Sequence, residues 1–192
     1  HIGDIREGAS VVLDDIRVDI SARYLAELTE MQTGVLRITV SDENEEMTPV
    51  TFSQDITILP YNQWEGVRRA DELLACFCVP NHPDVKKVLL EAASKMLLWT
   101  GDPSIDGYQS GNPERVKMQM AAIFSAIKDR GITYAMPPAS FYESGQLIRM
   151  PEEIFRTGMG TCIDTSMLYA SCLESAGLRP IIILNRAHAY AG

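Results

Sequence analysis

The feature that most constrains this fold is a helix followed by a returning strand in the last third of the chain. The stretch that begins at Cys162 carries apolar side chains at helical spacing, with Thr161 as N-cap and Gly177 at its end. Fifteen helical residues carry the chain roughly 22 Å outward at about 1.5 Å per residue. Extended backbone from Pro180 to His188 returns it by roughly 26 Å at about 3.3 Å per residue. The lengths nearly match, so we expect the His188 imidazole to lie beside the Cys162 thiol.

This position would make Cys162 a reactive thiol. The unpaired backbone N–H groups of a first helical turn stabilise a thiolate, and the N–H of Cys162 could serve as one oxyanion donor. A neighbouring imidazole can take and return the proton. The alternative is that the cysteine is a small buried apolar residue and the histidine is structural, which is the commoner case for either alone. The matched lengths, the helix start, and the room left by Gly158 and Gly160 favour the reactive pair.

The residues around this pair resemble the transglutaminase-like superfamily of cysteine enzymes. The matching motif is Gly-Met-Gly-Thr-Cys-Ile-Asp-Thr-Ser-Met-Leu-Tyr-Ala at 158–170, followed by Leu-Glu-Ser-Ala-Gly-Leu-Arg-Pro, Ile-Ile-Ile-Leu and His-Ala-Tyr. The resemblance implies a papain-related core, with Cys162 as nucleophile, His188 as general base, and neither metal nor cofactor. The superfamily's acidic partner follows the histidine on the next strand, which places it beyond Gly192. Asp164 is a poor substitute, because a carboxylate in the first turn suits capping and points away from the thiol's side of the helix.

Three upstream motifs resemble a non-helicase region of large bacterial proteins that also carry a superfamily-one helicase. They are Leu-Pro-Tyr-Asn-Gln-Trp-Glu-Gly at 59–66, Val-Pro-Asn-His-Pro at 79–83, and Pro-Pro-Ala-Ser-Phe at 137–141 with Gly-Gln at 145–146. This resemblance implies that the chain is a piece of a larger protein, with other domains as partners, a helicase among them. The chain itself carries no glycine-rich phosphate-binding motif.

Two polar residues upstream of the nucleophile are further candidates. Papain-like enzymes place a glutamine before the cysteine as an oxyanion donor, and Gln146 is the candidate for that role here. A surface loop amide is the alternative interpretation, and we favour it. Arg149 could clamp a substrate carboxylate or form a salt bridge, and we favour the salt bridge.

Charge and cysteine content limit the function classes. A net charge of −9 argues against broad nucleic-acid binding through this segment. Four cysteines do not suggest a disulfide framework, so a reducing, cytoplasmic setting is expected, and no apolar run is long enough for a membrane span. Cys76, Cys78 and His82 could form a metal cluster, but their spacing is not a usual zinc pattern. Burial in a helical core is favoured instead.

The pattern along the chain predicts an α+β fold in two parts. Residues 1–60 are β-rich, with alternating apolar residues at 16–20, 36–40 and 50–58, an acidic loop at 41–48 and a short helix or turn near 24–30. We expect a partial, sandwich-like segment there, the end of a β-domain. Residues 61–192 are predicted to form helices and the transglutaminase-like core, truncated at its C-terminus. The apolar residues Leu73, Leu74 and Phe77 indicate a helix at 65–79. Prolines and capping residues predict helices at 83–100 and 113–130, the last with an apolar stripe that includes Ile123, Phe124 and Ile127.

Two functions follow as hypotheses. The first is thiol-dependent acyl transfer, or hydrolysis of a peptide or amide bond, with a peptide or protein as substrate. The second is a catalytically inactive transglutaminase-like scaffold or binding module within a larger multidomain protein.

Overall fold

The computed structural model describes residues 5–6, 8–14, 16–42, 48–136, 145–185 and 188–192. The chain divides into two compact units, 1–61 and 62–192. The mixed α+β class expected from the sequence is confirmed. Two predicted segments, 43–47 of the acidic loop and the proline-rich stretch 137–144, lie outside the described residues.

The first unit is built on one long antiparallel ladder. Helix α1 (Ala22–Glu27) is followed by β1 (Gln32–Val40) and β2 (Val50–Ile58), which pair along their full lengths. The predicted strand at 16–20 is wrong, because those residues form no ladder and their apolar side chains stay exposed. Apolar alternation yields a strand only where a partner strand supplies the hydrogen bonds of a ladder, as β1 and β2 do for each other. The described residues therefore form a two-stranded ladder where a partial sandwich was expected.

The second unit combines helices with very short strands. Its elements in chain order are β3 (Gln63–Trp64), α2 (Val67–Ala70), a 3₁₀ helix (Glu72–Phe77), α3 (Pro83–Thr100), a 3₁₀ helix (Gly107–Ser110), α4 (Pro113–Asp129), β4 (Thr133–Tyr134), β5 (Gln146–Leu147), α5 (Pro151–Thr157), β6 (Met159–Gly160), α6 (Cys162–Ser175), β7 (Ile182–Leu184) and β8 (Ala189–Ala191). Strands β3 and β5 pair antiparallel, as do β7 and β8, whereas β4 and β6 are parallel.

Helices α3, α4, α5 and α6 enclose the main apolar core. The predicted starts of α3 and α4 are confirmed, since each has proline in its first turn and a side-chain cap, from His82 and Asn112 respectively. The buried face of α4 differs in part from the predicted stripe. Ile123 and Ile127 are buried, whereas Phe124 is 58% exposed. Among the described helices, none is both long enough and apolar enough to cross a bilayer.

The single helix predicted for 65–79 is wrong, and a buried tryptophan explains the break. The Trp64 indole Nε1 donates to the carbonyl of Ala70 at 2.7 Å. That carbonyl would accept from Leu74 N in an α-helix. The Leu74 N–H instead donates to Asp71 O at 3.1 Å, so the chain continues as a 3₁₀ helix. A contact made outside the helix therefore changes its hydrogen-bond pattern.

The return path after α6 is a hairpin, and the continuous extended segment predicted for 180–188 is wrong. Helix α6 ends with Gly177 in the left-handed conformation, as expected, at φ 79°. Strand β7 then runs only to Leu184, and β8 turns back against it with Leu184 opposite Ala189. The ladder closes where Asn185 N donates to His188 O at 2.9 Å. His188 therefore lies at the turn of a hairpin, immediately before β8.

Candidate active site

The start of α6 is fixed by a reciprocal capping box. The Asp164 N–H donates to Thr161 Oγ1 at 3.3 Å, and the Thr161 N–H donates to the Asp164 carboxylate at 2.8 Å. Both side chains are buried, with Asp164 at 0% exposure. This arrangement satisfies two backbone donors that a helix start would otherwise leave unpaired. Cys162 is consequently held as the first residue of the helix.

Arg149 completes the environment of the Asp164 carboxylate. Its backbone N–H and its Nη1 both donate to that carboxylate at 2.9 Å, one to each oxygen. The salt-bridge interpretation of Arg149 is thereby confirmed, and so is the capping interpretation of Asp164. Because both oxygens are engaged at the helix start, this carboxylate is committed to structure and does not orient an imidazole.

Cys162 and His188 line the same cavity. Its volume is about 300 Å³. Cys162 itself is 3% exposed and packs in a buried apolar cluster that includes Ile163 and Ala189. Four aromatic side chains contribute to the walls, those of Phe124, Tyr134, Tyr169 and Tyr190. The described residues that line the cavity include His188 but no lysine, arginine, aspartate or glutamate.

The hairpin turn fixes the backbone of His188, and the residue lines the cavity. The His188 N–H donates to Asn185 Oδ1 at 2.7 Å. The imidazole packs against the Tyr134 ring, with centroids 6.4 Å apart and planes inclined by 42°. Among the described residues, two carboxylates lie within ion-pair distance of a histidine, those of Asp84 and Glu152, and both contact His82. No described carboxylate therefore anchors the His188 ring.

Tyr134 is a site residue that sequence reasoning missed. Strand β4 lies parallel to β6, with Tyr134 opposite Gly160, two residues before the nucleophile candidate. Desolvation raises the pKa of the Tyr134 hydroxyl, and so does its interaction with the Cys162 side chain. In the sequence this tyrosine was only one of several aromatic residues upstream of the cysteine. Nothing in its spacing signals the parallel pairing that brings it to the thiol.

Gln146 contacts Thr161, the capping residue that immediately precedes Cys162. Its Nε2 donates to Thr161 Oγ1 at 3.1 Å. Gln146 is 5% exposed, so its interpretation as a surface loop amide is wrong, and its Oε1 has no hydrogen-bond partner among the described residues. Gln146 is also absent from the described lining of the cavity. In this arrangement the amide supports the helix cap, and its role as an oxyanion donor remains a prediction.

Gly145 is the residue that allows Gln146 to reach Thr161. It adopts φ 62°, and a Cβ at this position would collide with the backbone of Trp64 and Glu65. We expect Gly145→Ala to lower the free energy of unfolding by about 3 kcal/mol, because strain in the left-handed region adds to the collision. Gly101→Ala is the matched control, since Gly101 has φ 79° and open space around it. It should cost only about 1 kcal/mol in chemical denaturation. Equal losses for the two variants would contradict this packing argument.

The other cysteines have a different character. All four cysteines are free thiols. Burial raises the pKa of the Cys172 thiol to about 12. Burial, followed by a hydrogen bond to the Glu174 carboxylate, raises the pKa of the Cys78 thiol to about 11. Both are therefore protonated near neutral pH, and Cys78 acts as a hydrogen-bond donor.

The candidate metal cluster is not assembled by the described residues. His82 caps α3 through Nδ1, which accepts from Asp84 N at 3.2 Å, while its Nε2 contacts Glu152 at 2.9 Å. Cys76 is exposed. No group of three or more histidine, cysteine or acidic side chains suited to a metal ion is found among the described residues. His82 thus ties the start of α3 to α5.

Comparison with models of known protein families, with curated proteins and with solved structures found no match.

Proposed function

We propose that this chain is a thiol-dependent acyl-transfer enzyme of transglutaminase-like type, acting on a peptide or amide bond. Cys162 is the nucleophile and His188 the general base. The observation that carries the proposal is that these two side chains, 26 residues apart in sequence, line one cavity. A cysteine in the first turn of a helix, with an imidazole on the same cavity, is the arrangement that activated thiols require.

The chemistry follows from this pair. His188 takes the thiol proton, and the Cys162 sulfur attacks the carbonyl carbon of the substrate. The tetrahedral adduct collapses, the carbon–nitrogen bond breaks, and the imidazolium returns its proton to the departing amine. Water or a second amine then resolves the thioester, which gives hydrolysis or transfer. The aromatic walls of the cavity suit a substrate with an apolar group beside the reacting carbonyl.

The proposed setting is a cytoplasmic protein in which this chain works beside other domains, with a peptide or protein as substrate. Four free thiols are compatible with a reducing compartment. A non-catalytic scaffold is the second candidate function. One observation favours it: no carboxylate among the described residues orients the His188 ring. Without such a partner, the imidazole lacks the group that fixes its tautomer in related catalytic triads.

Thiol reactivity distinguishes the two functions in the unmodified protein. Native chain is treated with iodoacetamide at pH 7, and the alkylation rate of each cysteine is followed by mass spectrometry. We expect Cys162 to react at least about 10-fold faster than the exposed Cys76, because an activated thiolate is the attacking species. Cys78 and Cys172 should be slowest, since a thiol with a pKa of about 11 or 12 is almost fully protonated at pH 7.

Slower alkylation of Cys162 than of Cys76 across pH 6–9 would contradict the proposed enzyme and favour the scaffold. Repeating the measurement on unfolded chain supplies the reference. There, all four thiols should react at similar rates, so any selectivity in native protein arises from the fold.

A further inference from the structure

We propose that Tyr134 is a further catalytic residue, whose hydroxyl donates a hydrogen bond to the oxyanion formed when Cys162 attacks a carbonyl. This assignment rests on the proposed acyl-transfer function and adds a second donor to the backbone N–H of Cys162. It gives the site an oxyanion hole that does not require Gln146.

Position is the first argument for this role. The pairing of β4 with β6 is fixed by Thr133 N, which donates to Gly158 O at 2.8 Å, and by Ala135 N, which donates to Gly160 O at 2.8 Å. These bonds hold Tyr134 beside the segment that leads into α6. Its ring rests on the His188 imidazole and forms part of the cavity wall.

The closeness of Tyr134 to the thiol is the second argument. Tyr134 and Cys162 line the same cavity, and the interaction of their side chains, after desolvation, raises the pKa of the phenol. A phenol with a raised pKa keeps its proton at neutral pH and so remains a donor. The side chain is still 52% exposed, which leaves it free to follow a small movement of charge within the cavity.

Two electron pairs move when the sulfur attacks the carbonyl, and the negative charge passes from the sulfur to the carbonyl oxygen. The sulfur electron pair forms the sulfur–carbon bond, and the carbonyl π pair moves to oxygen, which becomes the oxyanion. The oxyanion forms next to the sulfur, so a phenol O–H in the same cavity can donate a hydrogen bond to it without losing its proton. When the oxyanion collapses, the bond to the leaving group breaks, and His188 supplies the proton to that group.

Two reagents separate this role from thiol activation. Acetylation by p-nitrophenyl acetate passes through a tetrahedral oxyanion, whereas alkylation by iodoacetamide displaces iodide and forms none. We expect Tyr134→Phe, which keeps the ring, to slow the p-nitrophenolate burst from Cys162 about 100-fold, the usual loss for one oxyanion donor. Iodoacetamide alkylation should slow by less than about 3-fold. Tyr108→Phe is the control, since Tyr108 is 56% exposed and is not among the described residues that line the cavity.

Each remaining outcome has a defined meaning. A wild-type burst that Tyr134→Phe leaves unchanged overturns the assignment of Tyr134 alone. Faster reaction of Tyr134→Phe with both reagents also overturns it, since the phenol would then be blocking the thiol. Equal slowing with both reagents, together with a lower Tm, would show that Tyr134 has only a structural role, which also contradicts its assignment as an oxyanion donor. Absence of a burst in wild-type protein, with Cys162 unreactive toward iodoacetamide, overturns the proposed function and this assignment together.

Discussion

Cys162→Ala is expected to abolish labelling of the native chain by a fluorescent peptidyl vinyl sulfone that carries an apolar side chain. The physical reason is that Cys162 is the only described thiol that shares a cavity with His188, and a vinyl sulfone traps a thiolate. His188→Ala should retain the thiol but slow labelling by about 10²–10⁴-fold, the usual contribution of a general base. Gel fluorescence over a time course measures both effects.

Cys76→Ala is the matched control for this experiment. It removes an exposed thiol that does not line the cavity, so labelling should persist at the wild-type rate. Circular dichroism on each variant shows whether it is folded. Labelling that survives Cys162→Ala, or that is equally fast in folded His188→Ala, would refute the assignment of the pair. If Cys162→Ala loses labelling and His188→Ala does not, Cys162 is a reactive thiol and His188 is not its base.

Asp164→Asn is expected to give the largest loss of stability, about 3–5 kcal/mol in the free energy of unfolding. The fully buried Asp164 carboxylate accepts from two backbone N–H groups and from the Arg149 guanidinium. An asparagine amide offers one acceptor oxygen, turns an N–H₂ group toward other donors, and leaves the arginine charge without its partner. The loss corresponds to a fall in Tm of roughly 10–20 °C for a unit of this size. Urea denaturation and calorimetry measure it.

Asp129→Asn tests whether burial is the reason. Asp129 pairs with Lys95, but its side chain is 62% exposed, so the same substitution should cost less than about 1 kcal/mol. If the two variants lose equal stability, the buried capping network is not what holds the start of α6. Because this network places Cys162 in the first turn, Asp164→Asn should also slow the reaction of that thiol in protein that remains folded.

Much of the local structure could be predicted from the sequence because its signals are local. Thr161 and Asp164 bond to backbone groups within three residues, and Gly177 adopts the left-handed conformation that ends α6. Proline and a capping residue mark the starts of α3 and α4 in the same way. The expected salt bridge of Arg149 also formed, since a buried carboxylate in a first turn needs a cationic partner.

Other features could not be predicted because they depend on distant contacts. The indole of Trp64 turns a predicted helix into two short ones by taking the carbonyl of Ala70. The segment 16–20 has the alternation of a strand but no partner, whereas β1 and β2 have each other. The extended return of 180–188 was wrong for a related reason. Pairing of β7 with β8 shortens the path, yet still brings the His188 ring to the cavity.

The sequence by itself determined where α6 begins and ends, which residue opens it, and how its first turn is capped, because those choices are settled by bonds between near neighbours. Tertiary structure alone decided what surrounds the thiol. Tyr134 reaches it through the parallel pairing of 133–134 with 159–160, and Gln146 reaches the cap through the pairing of 146–147 with 63–64. Such pairings join segments with no common local pattern, so their partners are chosen by the packing of the whole unit.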